Sequence, residues 1–220
     1  MAERRIATIF GTAASGKDTL LKSLADDSYY VRLVNTTTRP PRSTEVDGKE
    51  YYFIDKETHQ TNIASGKYFT YSQAHGRNYG VLSTEIESAW NSGALPIGHF
   101  GVSDHEDIWT RADSGLLCVR SLLLVTPNFD AWRMRMQCRL DSGLIDQEEV
   151  LSRAYTARDE LGFAKSNINR FALIRSVSEI AVKQSVDNYL KYNNADSRSE
   201  SIVIELAEEF DDFLHAQREV

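Results

Sequence analysis

A glycine-rich segment near the start of the chain places the strongest constraint on its fold. The run Gly11–Thr19 has the order Gly-Thr-Ala-Ala-Ser-Gly-Lys-Asp-Thr and directly follows the apolar segment 6–10. The spacing Gly-x-x-x-x-Gly-Lys lets successive backbone N–H groups point into one concavity, to which a following helix adds its positive N-terminal end. Residues 20, 21 and 24 are apolar at helical spacing. The segment therefore predicts a phosphate-binding loop between a buried strand and a helix.

One position of this phosphate loop departs from the usual pattern. The residue after the lysine is normally Ser or Thr, whose hydroxyl ligates Mg²⁺, and here it is Asp18. We expect Lys17 to bind the β- and γ-phosphates of ATP and Asp18 to take a Mg²⁺ position directly or through water. The alternative is a glycine-rich turn with an ordinary surface lysine. The predicted nucleotide-binding residues are Gly11, Ala14, Ser15, Gly16, Lys17, Asp18 and Thr19.

Composition and charge limit the classes of partner. The chain has 220 residues, of which 41% are hydrophobic and 26% charged, as in a globular protein of one large domain or a domain with a small lid. A formal net charge of −7 argues against a nucleic acid polymer but permits a small phosphorylated ligand. We find no export segment and no 18-residue apolar run, and we expect a cytoplasmic protein without a membrane partner. Cys118 and Cys138 are predicted to be buried free thiols.

Apolar segments alternate with stretches of helical periodicity, which indicates a parallel sheet covered by helices. The segment 42–80 interrupts this alternation with two β-rich runs, 50–54 and 67–71, and predicts a small β-rich insertion. The predicted sheet strands are 6–10, 31–34, 94–98, 119–126 and 171–175.

Two helical regions follow in the second half of the chain. Residues 133–160 predict a helical hairpin that could act as a lid, because its arginines would neutralise a transferring phosphoryl group; a solvated charged face is the alternative. Residues 193–200 predict a linker, and the tail after it has Ile202, Leu206, Phe210 and Phe213 or Leu214 at helical spacing. This tail helix could dock on the rest of the chain or mediate self-association, with a homodimer as one outcome. The arginines of the hairpin are Arg133, Arg135, Arg139, Arg153 and Arg158.

A second candidate phosphate site lies in the segment Thr36–Phe53. Arg39 and Arg42 stand three residues apart with two prolines between them, a stiff arrangement suited to bidentate phosphate binding. Tyr51 and Tyr79 are candidates for an additional hydroxyl donor. The alternative is that both arginines pair with surface carboxylates.

Together these motifs resemble the guanylate kinase family. Members carry a phosphate loop, then Thr-Thr-Arg-x-Pro-Arg, then Gly-Glu-Val-x-Gly-x-x-Tyr-x-Phe, then Tyr-Gly, and similar motifs occur here in the same order within residues 5–190. The resemblance implies an α/β, P-loop nucleoside-monophosphate-kinase-like domain over 1–192, with an acceptor-binding insertion at about 36–88 and a lid at about 133–160. It implies ATP and Mg²⁺ as cofactors and a small phosphorylated acceptor. It also assigns the acceptor's phosphate to Arg39, Arg42, Tyr51 and Tyr79, and catalysis to Lys17, Arg39, Arg135, Arg139 and Arg153.

The base-binding positions depart from that family. Thr70 stands where guanylate kinases have a glutamate that accepts hydrogen bonds from guanine, and Val81 replaces the serine after Tyr-Gly. His99 and Gly101 correspond to acidic residues at the end of the third strand. Threonine offers one hydroxyl and valine none, so we expect guanine recognition to be altered. The residues predicted to bind the acceptor's phosphate are retained. We expect GMP to be a doubtful acceptor, with Thr70 and His99 among the substrate-binding residues.

Other interpretations remain open at this point. The pairs Lys17-Asp18 and Tyr79-Gly80-Val81 resemble the ribose 1,5-bisphosphate kinases, which provides an alternative substrate. A catalytically inactive, guanylate-kinase-like interaction domain is another alternative, although such relatives usually lose the phosphate loop. His99, Asp104, His105 and Glu106 follow the third strand and could replace the missing acids; alternatively His99 is packed and the others cap the next helix.

Overall fold

We analysed a computed structural model of the chain, which describes residues 4–42, 45–74, 76–192 and 199–217. Its strands are β1 (Arg5–Phe10), β2 (Tyr30–Arg32), β3 (Asn35–Thr37), β4 (Tyr51–Phe53), β5 (Tyr68–Ala74), β6 (Arg77–Leu82), β7 (Leu95–His99), β8 (Cys118–Val125) and β9 (Phe171–Arg175). Its helices are α1 (Lys17–Leu24), α2 (Lys56–Ala64), α3 (Ser83–Ser92), α4 (Val102–Asp113), α5 (Phe129–Asp141), α6 (Gln147–Ser166), α7 (Glu179–Tyr192) and α8 (Ser199–Ala216). None of these helices combines the length and apolar character that a bilayer span requires.

The larger sheet has five strands in the order β2-β7-β1-β8-β9. The pairs β2–β7 and β8–β9 are parallel, and helices separate consecutive strands along most of the chain. Strand β8 is buried from Ser121 to Val125, which explains its continuous apolar sequence. The predicted parallel sheet flanked by helices is therefore confirmed, and its strand positions agree with the predicted ones to within one or two residues.

The β-rich insertion is a four-stranded sheet of order β4-β3-β6-β5. Strand β3 pairs in parallel with β4 and antiparallel with β6, and β5 pairs antiparallel with β6. The two β-rich runs seen in the sequence are β4 and β5. The sequence patterns did not identify β3 and β6, because short polar strands such as Asn35–Thr37 lack the apolar alternation that marks a strand.

The chain forms two compact units. One unit holds Leu24–Val119 and the described residues up to Thr8, and it contains the four-stranded sheet. Its core includes Ile6, Leu33, Val81, Ile86, Phe100, Ile108 and Leu117. The other unit holds Ile9–Ser23 and the described residues from Arg120 onward, including the phosphate loop and helices α5 to α8.

Helix α8 belongs to the second unit and packs against α6 and α5. Its buried residues are Val203, Leu206, Phe210 and Leu214, which recur every three or four positions and so form one face. The Phe210 ring centroid lies 4.8 Å from those of Phe129 and of Trp132, both on α5. Helix α8 lies where the sequence predicts a tail helix, and it docks within its own chain. Most of the predicted linker, 193–198, lies outside the described residues.

The substitution Phe210→Ala tests this packing. Phe210 is 1% exposed and fills the contact between α8 and α5, so we expect its truncation to lower the free energy of unfolding by about 3–5 kcal/mol. The matched control is Glu208→Ala on the exposed face of α8, which should change it by less than about 0.5 kcal/mol. Equal midpoints for both variants in urea unfolding would contradict the described docking.

Candidate active site

The phosphate loop begins with a close approach between two backbone segments. Gly11 has φ +146°, and a Cβ built on it would lie 1.9 Å from the carbonyl oxygen of Leu124 on β8. Any side chain at this position would therefore collide with backbone, so only glycine fits. Gly16, at φ +94°, turns the chain into α1 with open space around it. The local fold is thus the strand–loop–helix arrangement that the sequence predicts.

Lys17 and Ser15 face the interior of this loop. The Lys17 ammonium donates hydrogen bonds to the carbonyl oxygens of Gly11 at 2.6 Å and Thr12 at 2.9 Å. Burial lowers the pKa of Lys17, while the nearby Glu160 and Asp18 carboxylates act in the opposite direction. The Ser15 hydroxyl is buried and has no hydrogen-bond partner among the described residues. A buried donor of this kind is suited to an anion that enters the loop.

A cavity of about 570 Å³ adjoins the loop within the same unit. Its wall combines apolar side chains with a few polar ones, the usual composition of a small-molecule site. The lining residues include Ser15, Gly16, Thr19, Leu20, Leu124, Arg135, Cys138, Arg139, Ser176 and Val182. Neither Cys118 nor Cys138 forms a disulfide among the described residues, and the prediction that both thiols are buried is wrong, because Cys118 is half-buried and Cys138 is exposed.

Arg135 forms one side of this cavity. Its guanidinium donates to the Ala14 carbonyl at 2.7 Å, to the Ser176 hydroxyl at 2.8 Å and to the Ser176 carbonyl at 2.9 Å. Ala14 is the one described non-glycine residue with positive φ, at +61°. Arg135 thus stabilises the phosphate loop and the segment after β9. Its predicted catalytic role stays a prediction.

Two other lid arginines lie in the electrostatic surroundings of Lys17. Arg139 on α5 and Arg153 on α6 both lower the pKa of Lys17, as positive neighbours do. Arg153 is held by Glu149, with a hydrogen bond of 3.0 Å from its Nε. Glu160 on α6 is the anion among these cations, and burial raises its pKa to about 7, although Lys17 acts to lower it. One Glu160 oxygen is buried without a hydrogen-bond partner among the described residues.

The arginine and tyrosine cluster predicted to bind the acceptor's phosphate is found in the other unit. Arg39 donates from one nitrogen to both carboxylate oxygens of Glu45, at 2.7 and 2.8 Å, and its guanidinium lies 5.5 Å from the Tyr51 ring centroid. Arg42 is exposed, and its backbone N–H donates to Glu45 at 2.8 Å. Both arginines therefore lie against one carboxylate, and its side chain is only 9% exposed, so it is not the surface carboxylate of the alternative interpretation. Glu45 was not singled out from the sequence.

Tyr51 connects the predicted acceptor-phosphate residues, Arg39, Arg42 and Tyr79, to the end of β7. We call these four residues the phosphate cluster. The Tyr51 hydroxyl lies 3.2 Å from His99 Nε2, and the Tyr51 ring centroid is 6.1 Å from that of Tyr79. In this way Arg39, Tyr51, Tyr79 and His99 lie near one another, and their binding of an acceptor stays a prediction. His99 thus contacts the phosphate cluster and is not an isolated packed residue.

The Thr70 hydroxyl, which the sequence predicts to bind the substrate, is already hydrogen-bonded within the protein. It donates to Asp104 Oδ1 at 3.0 Å, and the Ser72 hydroxyl donates to Asp104 Oδ2 at 2.8 Å. His105 is fully buried between the Gly101 carbonyl and the Thr8 hydroxyl, each at 2.9 Å. Burial lowers the pKa of His105 to about 4. His105 is therefore a packed residue, whereas Asp104 is joined to strand β5.

Comparisons with known proteins agree with this geometry. Residues 3–97 match the family model described as guanylate kinase. A guanylate kinase of Wolinella succinogenes is 30% identical over 163 residues, which cover 73% of this chain and 72% of that protein. The chain belongs to the guanylate kinase family. A guanylate kinase of Chlorobium luteolum is 29% identical over 195 residues, covering 84% of this chain and 92% of that protein.

The fold of this guanylate kinase family member agrees with a solved structure. The crystal structure of guanylate kinase from Anaplasma phagocytophilum superposes with a TM-score of 0.67 at 18% sequence identity and covers 95% of this chain and 96% of that one. Membership of the family, together with this fold, makes the chain a P-loop kinase of the nucleoside monophosphate kinase type. Motif reasoning missed the roles of Glu45, Ser72 and Glu160. Ser72 and Glu160 are single polar residues on a strand and a helix and carry no spacing signal, whereas Glu45 lies in a loop whose motif does not show that it pairs with Arg39.

The raised pKa of Glu160 predicts a pH-dependent stability. In the unfolded chain this carboxyl has its ordinary pKa of 4.5, and in the folded chain about 7, so the folded state binds more protons between these values. The stabilisation from protonated Glu160 is complete below pH 4.5 and is lost as pH rises through 7. We therefore expect the free energy of unfolding of Glu160→Gln to fall less than that of the wild type between pH 5 and 8.

Urea unfolding at several pH values measures this difference. Glu208→Gln, on the exposed face of α8, is the control and should follow the wild-type pH profile. Parallel profiles for the wild type and Glu160→Gln would show that Glu160 titrates normally.

Proposed function

We propose that this chain is an ATP-dependent nucleoside monophosphate kinase in which the base is recognised by other residues than in typical guanylate kinases. The observation that carries the proposal is the intact phosphate loop with Lys17 among the lid arginines Arg139 and Arg153. The names of the relatives make GMP the first acceptor to test. The altered residues at positions 70, 81, 99 and 101 support a changed mode of base recognition.

The loop and its cavity support ATP as the phosphoryl donor. Backbone N–H groups of the loop, the Ser15 hydroxyl and Lys17 would hold the phosphates, and the adjacent cavity is large enough for an adenosine group. Lys17 would exchange its bonds to the Gly11 and Thr12 carbonyls for phosphate oxygens. That exchange costs little, because the ammonium keeps oxygen partners throughout.

The residues beside Lys17 fit a Mg²⁺ ion that accompanies ATP. Asp18 and Thr19 are exposed in the first turn of α1 and present a carboxylate and a hydroxyl, the hard oxygen donors that Mg²⁺ prefers. Bound Mg²⁺ would neutralise charge on the β- and γ-phosphates. Asp18 would hold it directly or through water.

The cluster around Arg39 supports a phosphate-bearing acceptor. Arg39 and Arg42 supply the charge, and the Tyr51 and Tyr79 hydroxyls supply donors for the acceptor's phosphate. Phosphoryl transfer needs positioning and charge neutralisation and no protein nucleophile. Lys17, Arg139 and Arg153 would stabilise the charge that develops on the transferring group, while the arginines and tyrosines orient the attacking oxygen.

The substitution Lys17→Ala tests the donor side. We expect it to lower kcat about 100-fold or more, because it removes a preorganised cation from the transferring phosphates. Wild-type protein should gain about 2.7 kcal/mol of stability at an ATP–Mg²⁺ concentration 100 times the dissociation constant, and the variant much less. Lys22→Ala, an exposed lysine in the last turn of the same helix, is the matched control. Thermal unfolding with and without ATP–Mg²⁺, together with ADP release, measures both effects.

A panel of acceptors tests the reaction itself. We expect ADP release with at least one nucleoside monophosphate and none with ribose 1,5-bisphosphate. Turnover with ribose 1,5-bisphosphate alone would favour the sugar-phosphate kinase that the Lys17-Asp18 and Tyr79-Gly80-Val81 patterns resemble. Absence of both turnover and ATP-dependent stabilisation would favour an inactive interaction domain.

A further inference from the structure

The buried carboxylate of Asp104 lies beside strand β5, next to Thr70, one of the residues that differ from the family pattern. Asp104 is 6% exposed and stands in the first turn of α4. Its Oδ1 accepts the Thr70 hydroxyl at 3.0 Å, and its Oδ2 accepts the Ser72 hydroxyl at 2.8 Å and the Gly101 N–H at 2.9 Å. A helix residue thus brings a carboxylate to the position where strand β5 carries threonine instead of an acid.

The two hydroxyls share a sheet face with the phosphate cluster. In the β5–β6 register Thr70 lies opposite Val81 and Ser72 opposite Tyr79, and directly opposed residues of an antiparallel pair project to the same face. Tyr79 in turn neighbours Tyr51, whose hydroxyl contacts His99. Asp104 therefore lies beside the same face as the residues that would hold the acceptor's phosphate.

Gly101 places its backbone directly beside the Asp104 carboxylate. A Cβ built on Gly101 would lie 3.5 Å from Asp104 Oδ2 and 3.9 Å from the Ser72 hydroxyl. In the family pattern an acidic side chain stands at this position. Here the side chain is absent, and the carboxylate of Asp104 reaches the space into which that side chain would extend.

We propose that Asp104 is the residue that determines base specificity, by accepting hydrogen bonds from the N–H donors of the acceptor's purine base. It would replace the carboxylates that positions 70 and 101 lack. This inference rests on the proposed function, because it assigns a residue to the acceptor site of that kinase.

The hydrogen-bonding capacity of the cluster fits this role. A carboxylate has about four acceptor positions, of which three are filled by Thr70, Ser72 and Gly101, so one remains for a ligand N–H. The Thr70 hydroxyl donates a hydrogen bond to Asp104, and the lone pairs of the Thr70 oxygen then serve as acceptors for a second N–H. Guanine presents a ring N–H and an amino group side by side and so matches two adjacent acceptors.

Asp104 also has a structural role as the helix-capping residue of α4, since its carboxylate accepts the Gly101 N–H. Burial raises the pKa of Asp104, while the hydrogen bonds from Gly101, Ser72 and Thr70 act to lower it. A cap alone would stabilise the protein and leave substrate selectivity unchanged. Selectivity therefore separates the two roles.

The test compares GMP with IMP, which lacks the amino group, in the wild type and in Asp104→Asn. We expect the variant to raise the KM for GMP about 10-fold or more, because it replaces a charged acceptor. The KM for ATP should stay unchanged, and the wild-type preference for GMP over IMP should fall toward one. Asp113→Asn, an exposed carboxylate at the last position of the same helix, is the control and should keep wild-type values.

A second pair of variants guards against loss of folding. Gly101→Ala adds a methyl group at ordinary contact distance from the carboxylate, so it should fold while raising the KM for GMP. The double variant Thr70→Glu/Asp104→Gly returns a carboxylate to the strand and should recover GMP use relative to Asp104→Gly alone.

The outcomes are distinguishable. If the wild type phosphorylates GMP but Asp104→Asn and Gly101→Ala keep its KM and its GMP-to-IMP ratio, Asp104 is only a cap and this inference is overturned while the proposed function stands. A wild type without preference for GMP over IMP overturns it as well. If no nucleoside monophosphate is phosphorylated, both the proposed function and this inference fail.

Discussion

The contact between Gly11 and the backbone of Leu124 is the constraint on which the nucleotide site depends. The loop can bend toward its own interior only because no side chain separates these two strands at that point, where a Cβ would lie 1.9 Å from a carbonyl oxygen. The bend fixes where the loop carbonyls point and hence where Lys17 finds its partners. It also leaves Ser15 buried beside them. Backbone geometry set by one glycine thus positions the charge used in chemistry.

Both candidate phosphate sites keep their cations next to carboxylates of the same chain. Arg39 is paired with Glu45, Arg153 with Glu149, and Lys17 lies in the field of Glu160. A bound phosphate therefore competes with a carboxylate of the protein. The affinity for phosphate reflects the difference between the interaction free energies of the cation with the phosphate and with that carboxylate. Like charges that lie close together destabilise a fold. The neighbouring carboxylates offset the repulsion between the clustered cations when no ligand is bound.

The sequence was sufficient for much of the fold and for the two phosphate-binding motifs, since both depend on local spacing. Gly11–Lys17 and Arg39–Arg42 are contiguous patterns whose geometry follows from the backbone alone. The base-binding region could not be read in the same way. Its character depends on how α4 lies against β5, which brings Asp104 to Thr70 and Ser72 across more than 30 positions of sequence. No local pattern specifies such a contact. Arg39 and Glu45 are only six positions apart, but motif spacing alone does not show which carboxylate an arginine pairs with.

The docking of α8 has a consequence for how sequence changes in this chain should be interpreted. Its buried face lies against α5 and α6, the two helices that carry Arg139 and Arg153. A stop codon after Tyr192 would preserve every motif by which the family is identified and would still remove this support from the arginine-bearing helices. Genetic variation in the tail would therefore reach the helices of Arg139 and Arg153 without changing either residue, and a truncated copy could retain a complete set of signature residues without the helix that packs against α5 and α6.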